Sequence, residues 1–189
     1  MARLDKDALP LNVSFRKIWP YESELFKDHL LRLDDQTRHS RFGIGVSNEF
    51  LQSYAKTAFQ LNTVIFGCFI GETLRATAEL RPLLESSPHA AEAAFSVEPP
   101  WQDSGIGTEL MRRTVKSARN RGFSTLYMIC LSDNKRMQRI AKKHSANLHF
   151  EAGGIEGKID PSTPTPISVA EEMAEDVQEF VTAIFSWPR

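Results

Sequence analysis

A strand that runs into a glycine-spaced turn and an amphipathic helix is the feature that most constrains this chain. The stretch AEAAFSVEPPWQDSGIGTELMRR spans residues 91–113. Gly105 and Gly107 carry no side chain at the mouth of a helix, where the first backbone N–H groups have no partner within the helix. Those groups and the positive end of the helix dipole suit an anion, typically a phosphate. A pair of glycines is also typical of a plain structural turn, so the neighbouring elements are needed to distinguish an anion-binding site from such a turn.

The elements after this turn predict a strand–helix–strand unit. Apolar residues recur at helical spacing until Gly122 ends the run. The next stretch, TLYMICL, is apolar on both faces, which is typical of a parallel strand covered on both sides. A right-handed crossover should therefore connect the strand at AEAAFSV to this one. A further helix, NKRMQRIAKKH, is expected to bury Met137, Ile140 and Ala141.

The remaining stretches predict a sheet that is mixed and mostly antiparallel. Strands are expected at VSFRKIW, at NTVIFGCFIG and ETLRATAELRP, which meet at Gly71 and Glu72, and around His149 and Ile155. Helices are expected at ESELFKDHLLRL and from Ser47 onward. The polar, arginine-rich segment DDQTRHSRFGIG between these helices is interpreted as a connection. Together these patterns predict an α/β (α+β) fold in which helices flank a central sheet.

The C-terminal part is predicted to be a proline-rich linker followed by an amphipathic helix. The stretch DPSTPTP leads to Ser168, which with Glu171 fits a capping box. We therefore divide the chain into a domain at residues 1–160 and an appended segment at residues 161–189. Because one side of the helix is apolar, we expect it to pack on the domain or on a second copy in a homodimer.

Charge and composition exclude several classes of function. The net charge of −1 argues against a general nucleic-acid binder, and no apolar run is long enough to span a membrane. Charges in the first fifteen residues replace the apolar core of a signal peptide, which predicts a cytoplasmic protein. The basic residues between Arg112 and Lys143 are interpreted as solvated helix faces. Cys68 and Cys130 lie in apolar runs, which favours buried free thiols over a disulfide or a metal site.

The stretch from AEAAFSV to AKKHSA resembles the core of the GNAT acetyltransferase superfamily. In that family a strand leads into the signature Q/R-x-x-G-x-G/A, followed by a helix, a parallel strand and a helix that opens with asparagine. Gln102, Gly105 and Gly107 match the signature, and Asn134 matches the asparagine. The resemblance extends over residues 61–148.

The resemblance implies acetyl-coenzyme A as the cofactor. The main chain of Phe95, Ser96 and Val97 would pair with the pantetheine arm, as an added strand pairs with a sheet edge. Asn134 would face that arm from the other side, with Met137 also in the cofactor site. Backbone amides of one loop would surround the pyrophosphate, and its residues are Gln102, Asp103, Ser104, Gly105, Ile106, Gly107 and Thr108. A diphosphate is the kind of anion that a bare turn at a helix N-terminus can hold.

Glu92 is the predicted catalytic base. Strand alternation places it on one face with Ala94 and Ser96, where the small side chains leave space for a ligand. It also stands where many members of the family have a glutamate that takes a proton from the amine, usually through water. A solvated or ion-paired strand residue is the competing interpretation. Glu79 is the second candidate, although its arginine neighbours favour a cross-strand salt bridge.

One departure from the family pattern concerns the leaving group. Many relatives have a tyrosine seven residues after the asparagine that protonates the coenzyme A thiolate, and here that position is Ala141. Tyr127 and His144 are the alternative proton donors.

The resemblance implies an N-acetyltransferase that moves an acetyl group to a primary amine of a small molecule or protein by direct attack in a ternary complex. A non-catalytic acyl-coenzyme A sensor is the alternative, and HLLRLDDQTRHSRF resembles a segment of bacterial relatives that modify protein lysines.

Overall fold

Seven strands and six helices form the described part of the chain, in a computed structural model that covers residues 12–83, 87, 89–151 and 154–185. The strands are β1 (Val13–Ile18), β2 (Val64–Ile70), β3 (Thr73–Pro82), β4 (Ala90–Val97), β5 (Thr125–Cys130), β6 (Asn147–Glu151) and β7 (Gly154–Ile159). The helices are α1 (Ser23–Arg32), α2 (Asp35–Phe42), α3 (Asn48–Thr57), α4 (Ile106–Asn120), α5 (Lys135–Lys143) and α6 (Pro166–Phe185). None of these described helices combines the length and apolar character needed to cross a membrane.

All seven strands belong to one sheet with the order β1-β2-β3-β4-β5-β7-β6. Only β4 and β5 pair in parallel within the described chain, and the other neighbouring strands are antiparallel. This arrangement confirms the predicted mixed, mostly antiparallel sheet flanked by helices. The parallel pair requires a crossover, and α4 supplies it.

Two apolar clusters cover the two faces of the sheet. On one face, Leu110 and Met111 of α4 pack with Leu80 of β3 in the larger cluster. On the other face, Phe26 and Leu30 of α1 pack with residues of α3 and β2. In β1, β2 and β3 the alternation of side chains divides the residues between the two clusters, which fixes the register of these strands.

The segment 34–45 was predicted to be a connection, and that prediction was wrong because it contains α2. The side chain of Asp34 caps the helix by accepting a hydrogen bond from the backbone N–H of Thr37 at 2.9 Å. Gly43 ends it in the left-handed conformation, with φ of 76°. The helix has few apolar residues, so periodicity does not reveal it, whereas the Asp and Gly caps are signals that could have done so.

Strand β5 is less covered than its apolar sequence predicted. Its buried and accessible residues alternate, and the Ile129 side chain is 68% exposed. The prediction of a strand covered on both faces was therefore wrong at this position. The cause is the tertiary arrangement, because β4 leaves β5 after three residue pairs and only one face of β5 meets the α4 and α5 layer.

The start of α6 also differs from the predicted capping box. Thr165 and Ser168 form the reciprocal pair, since each backbone N–H donates to the other's hydroxyl oxygen, at 3.2 and 3.1 Å. Pro166 occupies the first helical position, where its missing N–H removes no intrahelical bond. Ser168 is therefore inside the first turn, and Glu171 is not its capping partner.

Candidate active site

The cleft of the sheet opens where β4 and β5 separate. The two strands pair from Ala90 with Thr125 to Glu92 with Tyr127, and β4 then continues to Val97 alongside β3 only. Within the described chain, the β5-facing edge of β4 after Glu92 therefore has no strand partner. An unpaired edge of this kind can accept an extended ligand through main-chain hydrogen bonds.

A turn with a bare backbone closes one end of this cleft. Asp103 and Gly105 both have positive φ angles, 59° and 82°, and Gly105 is the N-cap residue of α4. The carbonyl oxygen of Gly105 accepts from the N–H groups of Thr108 and Glu109 at 3.0 and 3.1 Å. In the described residues, no hydrogen bond is donated by a backbone N–H between Ser104 and Gly107. Four donors at the positive end of a 15-residue helix thus remain available to an anion.

The Gln102 side chain holds this turn against its neighbours. Its amide nitrogen donates to the carbonyl oxygen of Val97 at 2.9 Å and to the Thr37 hydroxyl at 3.3 Å. Its amide oxygen accepts from Arg136 at 3.0 Å. Gln102 therefore ties the loop to the end of β4, to α2 and to α5, so its side chain positions the loop, whereas the other loop residues offer backbone groups.

A cavity of about 930 Å³ joins the open edge of β4 to the bare turn. Eleven of the twelve residues predicted to bind the cofactor line it: Phe95, Ser96, Val97, Gln102, Asp103, Ser104, Gly105, Gly107, Thr108, Asn134 and Met137. Ile106 does not, because its side chain is buried in the core beneath the turn. Helix α2 and its N-cap residue also contribute to the lining, through Asp34, Gln36, Thr37 and Ser40, which were not predicted from the sequence.

Basic side chains of α5 border the same cavity. Arg136, Arg139 and Lys143 all line it, and Arg136 donates to the Asp103 carboxylate at 2.8 Å. Asp103 and Arg139 are 3.8 Å apart at their charged atoms. These arginines lie on an exposed face, as the sequence predicted, but the same face borders the cavity. The cavity therefore combines unpaired N–H donors with a cationic border, which suits a ligand with several phosphates.

Asn134 caps α5 from the opposite wall. Its side-chain oxygen accepts from the backbone N–H of Met137 at 3.1 Å. This bond fixes the first turn of α5, so Asn134 and Met137 present a defined surface to the cavity.

A buried polar chain lies beneath the end of β4. The Ser96 hydroxyl is 2.8 Å from Nε2 of His29 and 2.8 Å from the Thr77 hydroxyl. Nδ1 of His29 is 3.3 Å from the Glu98 carboxylate, which also accepts from Arg32 and Arg75 at 2.9 Å each. The small side chain of Ser96 therefore makes room for a histidine from α1 rather than for a ligand. The sequence did not identify His29 or Glu98, because their partners come from distant segments.

Burial and hydrogen bonds shift the pKa values within this polar chain. Burial by itself raises the pKa of Glu98, but hydrogen bonds from His29, Arg75 and Arg32 outweigh it and lower the pKa to about 2. Burial lowers the pKa of His29, although Glu98 acts in the opposite direction. His29 is accordingly neutral and Glu98 ionised at neutral pH, which lets Nδ1–H donate to Glu98 and Nε2 accept from Ser96.

We expect this carboxylate to make folding stability depend on pH in acid. The pKa of Glu98 is about 2 in the folded chain against an ordinary 4.5, so its stabilisation is complete above pH 4.5 and is lost as the pH falls toward 2. Glu98→Gln should be less stable than the parent at pH 6, and the difference should close between pH 4.5 and pH 2. Urea midpoints measured across this range check the prediction. Glu72→Gln in the exposed β2–β3 turn is the control and should show no such difference.

Glu79 is an ion-paired residue at the centre of a second buried cluster. Arg41 of α2 lies 2.5 Å from it, Arg81 lies 2.6 Å from it, and the Tyr54 hydroxyl donates to it at 2.9 Å. Burial raises the pKa of Glu79, but the charges of Arg41 and Arg81 prevail and lower it. Its two ion-pair partners are on the same strand and on α2, and Tyr54 is on α3, so the predicted salt bridge is present but does not cross between strands.

Glu92 lies at the point where the two parallel strands separate. It is the last residue of β4 that pairs with β5, and its side chain is partly accessible. It does not line the cavity described above, which begins at Phe95. Its negative charge acts on Arg41 and favours the charged form of that guanidinium. In the described structure no ion pair or hydrogen bond engages the Glu92 side chain, in contrast to Glu79.

The alternative proton donors have different environments. Ala141, at the position where relatives have tyrosine, is buried in the core and offers no proton. His144 follows α5, and burial lowers its pKa, although a bond to the backbone of Thr108 opposes that change. Tyr127 is the register partner of Glu92 on β5. Tyr127 is therefore beside the catalytic candidate, whereas His144 contacts the first turn of α4.

The candidate site thus lies where a mixed sheet opens between two parallel strands, beside a bare helix N-terminus. The family model described as "Acetyltransferase (GNAT) family" matches residues 20–145. The chain therefore belongs to the GNAT acetyltransferase family, and its assignment as an acyltransferase enzyme is confirmed.

Solved structures from three bacteria share the fold at low sequence identity. The GNAT domain of PAT from S. lividans has a TM-score of 0.67 and 20% identity, and the match covers 78% of this chain and 90% of that one. The putative acetyltransferase yncA from Salmonella typhimurium, solved with its cofactor acetyl-CoA, has a TM-score of 0.60 and 12% identity over 82% and 96% of the two chains. The ribosomal-protein-S18-alanine N-acetyltransferase from Escherichia coli has a TM-score of 0.61 and 14% identity over 82% and 97%.

Proposed function

We propose that this protein is an N-acetyltransferase that transfers the acetyl group of acetyl-coenzyme A to a primary amine by direct attack within a ternary complex. The observation that supports this most strongly is the continuous cavity from the unpaired edge of β4 to the bare N-terminus of α4. This cavity suits an elongated ligand whose amide-bearing arm lies along the edge of β4 and whose phosphates lie at the N-terminus of α4. Coenzyme A has that chemistry.

The chain's own groups fit such a ligand. The unpaired main chain from Phe95 to Val97 would hold the arm as an added strand. The N–H groups from Ser104 to Gly107 would bind the diphosphate, with Arg136 adding positive charge. When bound, acetyl-coenzyme A supplies a thioester carbonyl that an amine can attack.

Glu92 is the proposed general base. An amine must lose a proton as it attacks a carbonyl, and a carboxylate at the apex of the cleft can accept that proton directly or through water. Glu92 suits the role because none of the described residues forms an ion pair with its side chain, whereas Arg41, Arg81 and Tyr54 already contact the Glu79 carboxylate. Tyr127, the register partner of Glu92 on β5, is the proposed donor of a proton to the departing thiolate.

The proposed acceptor class includes protein lysines and N-termini as well as small amines. One structural neighbour supports a protein acceptor, since it is named for the alanine of ribosomal protein S18. The segment HLLRLDDQTRHSRF, which contributes α2 to the cavity wall, supports the same direction by its resemblance to protein-modifying relatives.

We expect acetyl-coenzyme A to raise the melting temperature, because a ligand that binds only the folded state stabilises it by mass action. At about 100 times the dissociation constant the gain is about 2.7 kcal/mol, or several degrees for a domain of this size. A thermal-shift titration with acetyl-coenzyme A checks this, with adenosine as a control that lacks phosphates. An unchanged melting temperature at millimolar cofactor would remove the main support for the proposal.

Thiol release over a panel of amines and lysine peptides then separates an enzyme from a sensor. An acetyltransferase should liberate coenzyme A thiol in proportion to acetylated acceptor. The buried Ala141 favours the alternative, a non-catalytic acyl-coenzyme A sensor, which would shift the melting temperature and release no thiol with any acceptor.

A further inference from the structure

Helix α6 lies on the rest of the chain through its acidic side. The Glu172 carboxylate accepts hydrogen bonds from Lys17, Ser117 and Arg121 at 3.2, 2.9 and 2.8 Å. This buried carboxylate has a pKa of about 2. Burial opposes that shift, and bonds from Arg121 and Asn120 overcome it. The remaining contacts repeat the pattern further along the helix: Asp176 with Lys17, Glu175 with Lys116, and Glu179 with Arg113.

The apolar side of α6 consequently faces outward. Ile167, Met173 and Val177 are 72%, 64% and 66% exposed, and Val181 is 45% exposed. Phe180 packs edge-to-face on Trp19, with the ring centroids 5.1 Å apart. We call the remaining outward surface, formed by residues 167, 170, 173, 174, 177 and 181, the α6 stripe. The sequence predicted that the apolar side of this helix would pack on the domain or on a second copy. In the described part of the chain Trp19 supplies such a contact for Phe180, whereas Met173, Val177 and Val181 stay exposed.

The α6 stripe has the spacing of a coiled-coil seam. Ile167, Ala170, Ala174, Val177 and Val181 follow steps of three and four residues, as seam positions of a heptad do. The docked acids Glu172 and Glu179 lie at the heptad position opposite the seam. One helix thus carries two separate surfaces, an ionic one toward its own domain and an uncharged one toward solvent.

The α6 stripe is complementary to itself. If two α6 helices overlap fully in antiparallel directions, the two-fold axis passes midway between Pro166 and Phe185. Ala174 then lies opposite Val177 of the second copy, and Ala170 lies opposite Val181. Each small residue meets a larger one, which is how facing layers interdigitate. Because the acids Glu172, Glu175, Asp176 and Glu179 are neutralised within their own chain, few like charges oppose this approach.

We propose that the α6 stripe is the interface of a two-fold symmetric homodimer in which two α6 helices pack antiparallel. The ionic contacts of α6 with α4 orient the stripe away from the domain, and no residue of the stripe lines the active-site cavity. This association does not depend on acetyl transfer and can be tested without any substrate.

Sedimentation equilibrium of the full chain tests the proposal. Wild type should have twice the single-chain mass of 21.4 kDa at tens of micromolar. Val177→Glu should sediment as a monomer and keep the circular dichroism spectrum and the cooperative thermal unfolding of a folded chain, which shows that it folds. Leu61→Glu is the matched control, because Leu61 is 86% exposed but lies outside the stripe, and this variant should remain dimeric. A monomeric wild type, or a dimeric Val177→Glu, would overturn the proposal.

Cysteine pairs test the antiparallel arrangement separately. The native Cys68 and Cys130 are buried, and burial raises the pKa of Cys68 to about 12, which leaves both inert to mild oxidation. A mixture of Ala174→Cys and Val177→Cys chains should form a disulfide between the two variants, and each variant alone should form much less. Efficient self-linking of either variant alone would contradict the antiparallel packing, and no linking in any sample would contradict the interface.

Discussion

Gly105→Glu should bind coenzyme A at least about 100-fold more weakly than the parent, because placing a carboxylate against a diphosphate costs several kcal/mol and each 1.4 kcal/mol is tenfold. The added side chain meets open space rather than a neighbouring atom. The variant should therefore fold, at a cost of about 1–2 kcal/mol for a non-glycine residue in the left-handed region. Isothermal titration with coenzyme A measures the loss of affinity.

Two further variants separate charge from backbone strain. Gly105→Ala carries the same strain without the charge and should lose much less affinity. Gly122→Glu adds the same side chain at the other end of α4, where φ is also positive, at 76°, and the space is also open. It should match the destabilisation of Gly105→Glu and retain coenzyme A binding. Normal binding by a folded Gly105→Glu would show that the turn does not hold the phosphates.

Glu92→Gln should keep cofactor affinity near that of the parent while turnover falls by roughly 10²- to 10⁴-fold, the range for loss of a general base. The amide keeps the shape of the carboxylate but cannot accept the amine proton. Raising the pH should partly restore the rate, since more of the acceptor then arrives deprotonated. Steady-state kinetics with the best acceptor from pH 6 to pH 10 checks both effects.

Glu79→Gln is the control for this experiment. The substitution leaves the buried Arg41 without its full charge partner, so it should lower the melting temperature more than it lowers turnover. Normal turnover of Glu92→Gln would exclude Glu92 as the base. A defect in Glu79→Gln that high pH restores would move the role to Glu79.

The buried polar clusters explain why α1 and α2 matter to the site. His29 and Arg32 of α1 reach the Glu98 carboxylate, and Arg41 of α2 reaches Glu79, so both helices are anchored to β3 and β4 by charge. Breaking such buried pairs leaves an uncompensated charge and typically costs about 3–5 kcal/mol. The wall of the cavity formed by α2 is thereby fixed relative to the open edge of β4.

The sequence by itself determined the strand–turn–helix–strand unit and the residues of the bare turn. Those features are local, because hydrophobic period, glycine and caps act over a few neighbouring residues. The same reasoning extended to most strands and helices. It did not reveal α2, whose signals are its Asp34 and Gly43 caps rather than an apolar face.

Only the tertiary structure decided where the polar side chains go. Glu92 and Ser96 share a strand face, yet Ser96 is covered by His29 while Glu92 lies at the apex of the cleft. The orientation of α6 is the clearest example of such a tertiary effect. Its acids form ion pairs with Lys17, Arg113 and Arg121 on distant elements, and the apolar side therefore faces outward. Partners far apart in the sequence meet only after the sheet has formed, and a pattern within one segment cannot specify them.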